Sequence, residues 1–360
     1  MAKEMYRNFT AILPVTCNAN CVFCPEKEMK EKANKAQWLE GLVNSLFKNR
    51  KKVGHVSISG GEPTLNVKLL QQTIDTVLGE THIKRIGLTS NGQFLESSNK
   101  TLGLLNALID GTTLKCKLDF MNISMHSFDS ELNMEIMGLT SMFDLDALVR
   151  FRKMLGRDVS FHINFVICKQ NIRNIKWEMT QAREFMRQNP HFDIVFRVDY
   201  SMKDQFEKLH KWAQTPARKR SKEATPRLAA IFNEVFNNSV ELKDDNLIGY
   251  CPSCFTLASY PGAHNTVYLK ASAYEPNEVL GVASELVYHM NGKLYFDWSR
   301  KQPVYKEEIE EDETEVKPLP GKTKQAKSKA KKKPKSNSLK DSMELLRVRR
   351  CGFSGTSCRY

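Results

Sequence analysis

Residues 9–24 read Phe9-Thr-Ala-Ile-Leu-Pro-Val-Thr-Cys17-Asn-Ala-Asn-Cys21-Val-Phe23-Cys24. The first part, Phe9 to Val15, is a short apolar run of strand type, and it empties directly into a loop carrying three cysteines. The same grammar continues downstream. Strands are predicted at His55–Ser59, Arg85–Thr89, Phe120–Met125, Ser160–Ile167 and Asp193–Val198. Between them apolar residues fall at helical spacing, as with Trp38, Leu39, Leu42, Val43, Leu46 and Phe47. Six strands alternating with helices predict a parallel sheet. In such sheets ligands sit beyond the carboxyl ends of the strands, which is where the cysteines stand.

Three thiolates at this spacing can take three corners of a 4Fe-4S cluster on one compact loop and leave the fourth iron open. Zinc is a poorer match, because it usually takes four tetrahedral ligands in paired C-x2-C spacing. Each later strand ends in its own polar signature. The second gives Ser59-Gly60-Gly61-Glu62-Pro63-Thr64, whose two glycines would let backbone approach a ligand closely. The third gives Thr89-Ser90-Asn91-Gly92, the fourth Asn122-Ile-Ser124-Met-His126-Ser127, and the fifth carries Asn164. His126 reads as a catalytic proton relay, from its near-neutral ordinary pKa, or as a buried histidine bonded to a neighbour. Cys168 reads as a small buried thiol, and Cys116 has no functional context.

Taken in order, these motifs resemble the radical S-adenosylmethionine (radical SAM) superfamily in its molybdopterin-cyclase-like branch. Its hallmark, C-x3-C-x-aromatic-C, is matched with Phe23 at the aromatic position. The resemblance implies an incomplete (βα)6 TIM-like barrel. It also implies a 4Fe-4S cluster on Cys17, Cys21 and Cys24, and S-adenosylmethionine chelated at the open iron. Reductive cleavage of the sulfonium then gives a 5′-deoxyadenosyl radical that abstracts a substrate hydrogen. It further implies cofactor binding by Phe23, Gly60, Gly61, Glu62, Pro63, Ser90, Asn91 and Ser124, with the GGEP edge on the methionine ammonium. Asn164 matches a family asparagine and, with His126, is a catalytic candidate. A flavodoxin- or ferredoxin-type electron donor is the implied partner.

Beyond residue 200 the pattern changes. A Lys/Arg-rich helical stretch leads to Cys251-Pro-Ser-Cys254, then to a β-rich section in which Met290-Asn-Gly-Lys293 looks like a hairpin turn. The last twenty residues contain Cys351 and Cys358. These four cysteines suit a second metal site, 4Fe-4S or zinc, or remain free thiols. The cyclase branch expects a third cysteine about fourteen residues after its C-x2-C and a Gly-Gly end, and this chain has neither. The expected organisation is a radical SAM barrel over residues 1–215 and a cysteine-containing α+β extension that begins at 216–306. A disordered linker at 307–340 and a cysteine-containing segment at 341–360 follow.

Charge and composition narrow the function. The chain has 360 residues, 41% hydrophobic and 26% charged, as a soluble globular protein does. No run approaches the roughly 18 apolar residues of a membrane span, and the first residues carry no apolar signal core, so a cytoplasmic setting is expected. Nine cysteines in such a chain read as ligands or free thiols before disulfides. The net charge of +13 includes an acid block at 307–315 and ten lysines within 316–340. That balance fits a polyanion such as DNA, or a solvated linker whose blocks attract each other. Aromatics beyond residue 250 (Phe255, Tyr260, Tyr268, Tyr274, Tyr288, Tyr295, Trp298) would stack on bases or fill a core. The overall cast is similar to radical SAM isomerases of DNA viruses that hypermodify thymidine. Those enzymes convert an N-linked glycyl-thymidine to its carbon-linked form. Radical maturation of a peptide or small metabolite, and a non-catalytic nucleic-acid-binding protein, are the competing readings.

Overall fold

The computed structural model describes residues 7–28, 32–156, 158–215, 225–236, 248–251, 254–261, 265–273, 285–296, 298 and 303–304. Eight strands run parallel in the order β10-β1-β2-β3-β4-β5-β6-β9. They are β1 (Arg7–Ile12), β2 (Val53–Ser59), β3 (Arg85–Ser90), β4 (Phe120–Ser124), β5 (Ser160–Ile167), β6 (Phe192–Val198), β9 (Val267–Ser272) and β10 (Glu285–Tyr288). Antiparallel strands finish both edges: β11 (Leu294–Tyr295) beside β10, and β8 (Cys254–Ser259) then β7 (Ile248–Cys251) beside β9. The end strands β11 and β7 do not pair with each other, so the sheet stays open, as an incomplete barrel does.

The helices are α1 (Lys35–Lys48), α2 (Val67–Leu78), α3 (Ser98–Leu108), α4 (Ser130–Met137), α5 (Leu145–Leu155), α6 (Ile175–Gln188), α7 (Lys203–Gln214) and α8 (Arg227–Val235). Local chemistry starts several of them. Asn34, Asn66 and Asp129 accept N-terminal backbone N–H groups of α1, α2 and α4 through their side chains. The apolar stripes seen in the sequence supply the buried faces, Trp38, Leu42 and Leu46 in α1 and Leu69, Leu70, Ile74 and Val77 in α2, while Val43 and Phe47 of the α1 stripe are exposed.

Alternation along the strands separates two environments. On β1, Phe9 stacks on Tyr288, which in turn packs against Trp38 of α1. The intervening Asn8, Thr10 and Ile12 line a cavity inside the sheet's curve. The six strands read from the sequence are all present. The two flanking parallel strands, β9 and β10, come from the β-rich section beyond residue 250 and join the same sheet. The MNGK hairpin forms between β10 and β11, with Gly292 at φ 79° and its N–H donated to the His289 carbonyl. Two hydrogen bonds lock this return to α1: Trp38 Nε1–H donates to the His289 carbonyl and Tyr288 O–H to the Trp38 carbonyl, each at 2.9 Å. No helix among the described residues is long and apolar enough to cross a membrane.

Candidate functional site

The cysteine loop is held by its backbone. Asn20 N–H donates to the Met137 carbonyl (2.8 Å) and Val22 N–H to the Ile136 carbonyl (2.9 Å), which docks the loop on the last turn of α4. That helix ends at Gly138 with φ 59°, where a Cβ would stand 2.9 Å from Asn20. From the other side, Glu62 N–H donates to the Thr16 carbonyl at 2.9 Å.

The two glycines before Glu62 serve this docking. A Cβ on Gly60 (φ 107°) would lie 2.4 Å from the Leu13 nitrogen, and one on Gly61 would lie 2.4 Å from the Val15 carbonyl oxygen. Close approach is needed, as the sequence suggests, but what approaches is the backbone leading to Cys17. Both glycines still line the cavity. Pro63 opens a 3-10 turn, Pro63–Asn66, and is buried off the cavity wall.

Glu62, 1% exposed, ties three strand ends together. Its Oε1 accepts from Thr64 N–H (3.0 Å), the Thr64 hydroxyl (2.7 Å) and the Ser90 hydroxyl (2.8 Å). Its Oε2 accepts from Asn91 N–H at 2.7 Å, which leaves that oxygen a further acceptor position toward the cavity it lines. Asn91 Nδ2 continues to Asn18 Oδ1 in the cysteine loop at 2.8 Å. Burial pushes the Glu62 carboxyl above its ordinary pKa, against the pull of these donors.

One cavity of about 600 Å³ gathers the site. Cys17, Cys21, Phe23, Cys24, Gly60, Gly61, Glu62, Ser90, Asn91, Ser124, His126 and Asn164 all lie on its wall. The sequence placed these residues along five different strands or in the turns that follow them, and the fold brings them together. None of Cys17, Cys21 and Cys24 is in a disulfide. Desolvation raises the Cys17 pKa although the residue is open to the cavity; Glu62 and Cys24 add to the rise, and Ala19 N–H, 3.4 Å from Sγ, opposes it. Among the described residues no three His, Cys, Asp or Glu side chains converge on a single-ion position. A 4Fe-4S cluster imposes no such convergence, because each thiolate binds a different iron. Three thiols on one loop and one cavity wall fit three corners of such a cluster.

Ser124 and Asn164 are register partners on β4 and β5, side by side on the wall. Deeper along the strands a polar chain crosses the sheet. Asn122 Nδ2 donates to the Thr89 hydroxyl (3.0 Å), Asn122 Oδ1 meets His162 Nδ1 (3.1 Å), and His162 Nε2 lies 3.4 Å from Asp193. His126 is 2% exposed, and burial lowers its pKa to about 3. A ring buried in this way stays neutral near pH 7.

The second cysteine set is less defined. Cys251 and Cys254 are register partners in the β7–β8 hairpin, and Cys254 is disulfide-bonded, so it would have to be reduced before it could ligate a metal. Cys351 and Cys358 lie outside the described residues. Of the aromatics considered for base stacking, Phe255, Tyr288 and Tyr295 are buried. Trp298 lines the cavity, Tyr260 is exposed, and Tyr274 lies outside the described residues.

Several residues at the site carry no sequence signal. Asn133, Asn171 and Glu178 are fully buried and hold the loop after β4, yet each looks like an ordinary surface residue in the sequence. Arg197, Glu285, Glu26 and Lys32 line the same cavity.

Residues 12–177 match the Radical SAM superfamily. A curated protein of Sulfurisphaera tokodaii named "Probable GTP 3',8-cyclase" is 30% identical over 165 residues, 44% of this chain and 46% of that protein. One of the same name from Thermoplasma volcanium is 34% identical over 131 residues, 36% of each chain. The match thus spans about half or less of these relatives' length. Among solved structures, Streptococcus suis SuiB bound to precursor peptide SuiA aligns with a TM-score of 0.46 at 16% identity, over 82% of this chain and 60% of that one.

Proposed function

We propose, for a chain whose residues 12–177 belong to the radical SAM superfamily, that it isomerises a modified nucleoside in DNA. The substrate is thymidine carrying glycine through nitrogen on its 5-methyl carbon, and the product is the carbon-linked form. The observation that carries this reading is the single cavity. The three cysteines share it with the neutral hydrogen-bonding side chains of Asn8, Thr10, Ser57, Asn122 and Asn164. Such a wall suits the carbonyl and N–H edges of a base, and the volume lies in the range of small-molecule sites.

When bound, a 4Fe-4S cluster supplies the electron that cleaves S-adenosylmethionine into methionine and a hydrogen-abstracting adenosyl radical. Cys17, Cys21 and Cys24 would hold it as thiolates. Glu62, with its remaining Oε2 position, and the Ser90–Asn91 turn would bind and orient the methionine amine. Ser124 and Asn164, adjacent on the wall, would meet the polar edge of the nucleoside or cofactor. Phe23, Met137 and Phe165 supply apolar wall that excludes water from the reacting carbon. Arg197 and Lys32 place cationic side chains on the same wall, suited to a phosphate or the glycyl carboxylate. The net charge of +13 supports a polyanionic substrate, and a small flavodoxin- or ferredoxin-type protein would deliver the electron.

A second reading, action on a purine nucleotide, draws on the names of the curated relatives. The missing third cysteine after Cys254 weighs against it. One experiment separates the readings. Anaerobically reconstituted protein, dithionite and S-adenosylmethionine are incubated with glycyl-thymidine DNA, unmodified DNA, GTP or a peptide mixture, and 5′-deoxyadenosine and nucleosides are quantified. A nucleoside of unchanged mass and shifted retention from the modified DNA is expected. Cyclised GTP, or 5′-deoxyadenosine with all DNA unaltered, would overturn the isomerase reading.

A further inference from the structure

The loop following β4 is fixed by three side chains of 0% exposure. Asn133 Oδ1 accepts from His126 N–H (2.6 Å) and Ser127 N–H (3.2 Å). Asn171 Nδ2 donates to the carbonyls of His126 and Val166, each at 2.8 Å. The Glu178 carboxylate accepts from the Ser127 hydroxyl (2.5 Å) and Phe128 N–H (2.8 Å). A fully satisfied buried network of this kind gives a loop one conformation. What it orients is the His126 ring.

Val166 N–H donates to His126 Nδ1 at 3.0 Å. A ring nitrogen that accepts a hydrogen bond cannot also carry a proton, so the single proton of the neutral ring belongs on Nε2. Protonating Nδ1 would set two N–H groups head to head in a buried site. The ring stands edge-on to Phe23 at 4.8 Å and to Phe165 at 6.5 Å between centroids. The groups packed around it, Phe23, Phe165, Val166, Asn133 and Asn171, carry no charge. The one carboxylate bonded to this loop, Glu178, is turned to Ser127 and Phe128. His126 Nε2 has no hydrogen-bond partner among the described residues, and the ring lines the cavity.

We propose that His126 is a ligand-binding residue of fixed tautomer, whose Nε2–H donates to an acceptor atom of the molecule held in the cavity. The acceptor is a carbonyl, carboxylate or ring nitrogen. The inference rests on the assignment of this cavity to the reaction, and the acceptor belongs either to the cofactor or to the substrate. The lowered pKa agrees with a ring that stays neutral.

The test compares wild type, His126→Gln, which keeps an N–H donor, and His126→Phe, which keeps only an aromatic ring. In the first arm, S-adenosylmethionine binding to each reconstituted holoenzyme is measured by calorimetry without reductant. In the second, KM and kcat for glycyl-thymidine DNA are measured from pH 6 to 9. His126→Phe should weaken one arm about fivefold to tenfold, the scale of one hydrogen bond. His126→Gln should recover most of what the Phe variant loses and share the wild-type pH profile. A Phe variant unchanged in both arms overturns the proposal. So does a Gln variant as impaired as Phe that also loses an ionisation from the profile, since that marks a proton relay. If wild type forms 5′-deoxyadenosine but leaves the DNA unaltered, the substrate reading has failed. The first arm then decides His126 alone, and unchanged affinity in the Phe variant overturns it.

Discussion

The Glu62 carboxylate and the Asn91 backbone N–H, 29 residues apart in the chain, meet at 2.7 Å where β2 and β3 end. Asn91 then reaches Asn18 in the cysteine loop, so one buried carboxylate sets the relative position of three strand ends. Replacing Glu62 by alanine leaves the Thr64, Ser90 and Asn91 donors without their acceptor. The expected loss is about 3 kcal/mol of unfolding free energy, together with a clear fall in S-adenosylmethionine affinity. Glu62→Gln keeps one acceptor oxygen and should lose less. Urea unfolding and calorimetry on both variants check this; an alanine variant as stable as wild type would show that the strut carries no weight.

His126 gives the chain a pH signature. Its folded pKa, lowered to about 3, lies below the ordinary histidine value near 6.5, so the unfolded chain binds the extra proton between them. The stability tied to the neutral ring is fully present above pH 6.5 and is lost as pH falls through that window toward 3. The contribution is on the order of 4 kcal/mol. Urea midpoints of wild type and His126→Gln, followed from pH 7.5 to 4.5, should converge with acid. Parallel curves would contradict the sign.

Glycines provide an internal contrast. Gly60→Ala and Gly61→Ala each drive a Cβ into backbone at 2.4 Å, and Gly60 also leaves its φ of 107° strained for alanine. Losses of about 2 kcal/mol or more are expected. Gly103, within α3, has nothing within 4 Å of its would-be Cβ, and Gly103→Ala should gain about 0.5–1 kcal/mol. Chemical denaturation of the three variants checks the order.

Cys24→Ala should abolish the visible absorption of the reconstituted cluster and all 5′-deoxyadenosine formation. Iron analysis should then report only what other cysteines bind. Normal 5′-deoxyadenosine from this variant would refute the cluster assignment.

Deleting residues 316–340 removes ten lysines and no acid. Retention on DNA should weaken and its salt dependence become shallower, while S-adenosylmethionine cleavage continues at the wild-type rate. Filter binding over a salt series reads the first effect and chromatography the second. Unchanged retention would remove any role for this segment in polyanion binding.

Much of this was legible in the chain. Period-2 runs and 3.6-residue stripes are local consequences of burial on one face, so β1 to β6 and the long helices could be read directly. Cys17, Cys21 and Cys24 share one loop, and glycine pairs mark close backbone approach, so those positions could be read too. The parallel strands β9 and β10 were harder, because a strand's neighbour is set by pairing with distant chain, as Ile194 with Val267 and Asn8 with Glu285. Asn133, Asn171 and Glu178 were invisible for a related reason. An isolated polar residue in a helix, as Asn133 and Glu178 are, or in a turn, as Asn171 is, looks solvent-facing until another element covers it.

The sequence by itself determined the alternation of elements, the three-thiol loop and the polar strand ends, because each depends on residues close together in the chain. Only the tertiary structure decided what those groups face. It turned Glu62 inward onto Asn91, aimed the Val166 N–H at His126 Nδ1, and extended both edges of the open sheet with strands from the far end of the chain. Hydrogen-bond partners and burial are properties of positions in space, and a buried group's chemistry follows from its partners more than from its own type.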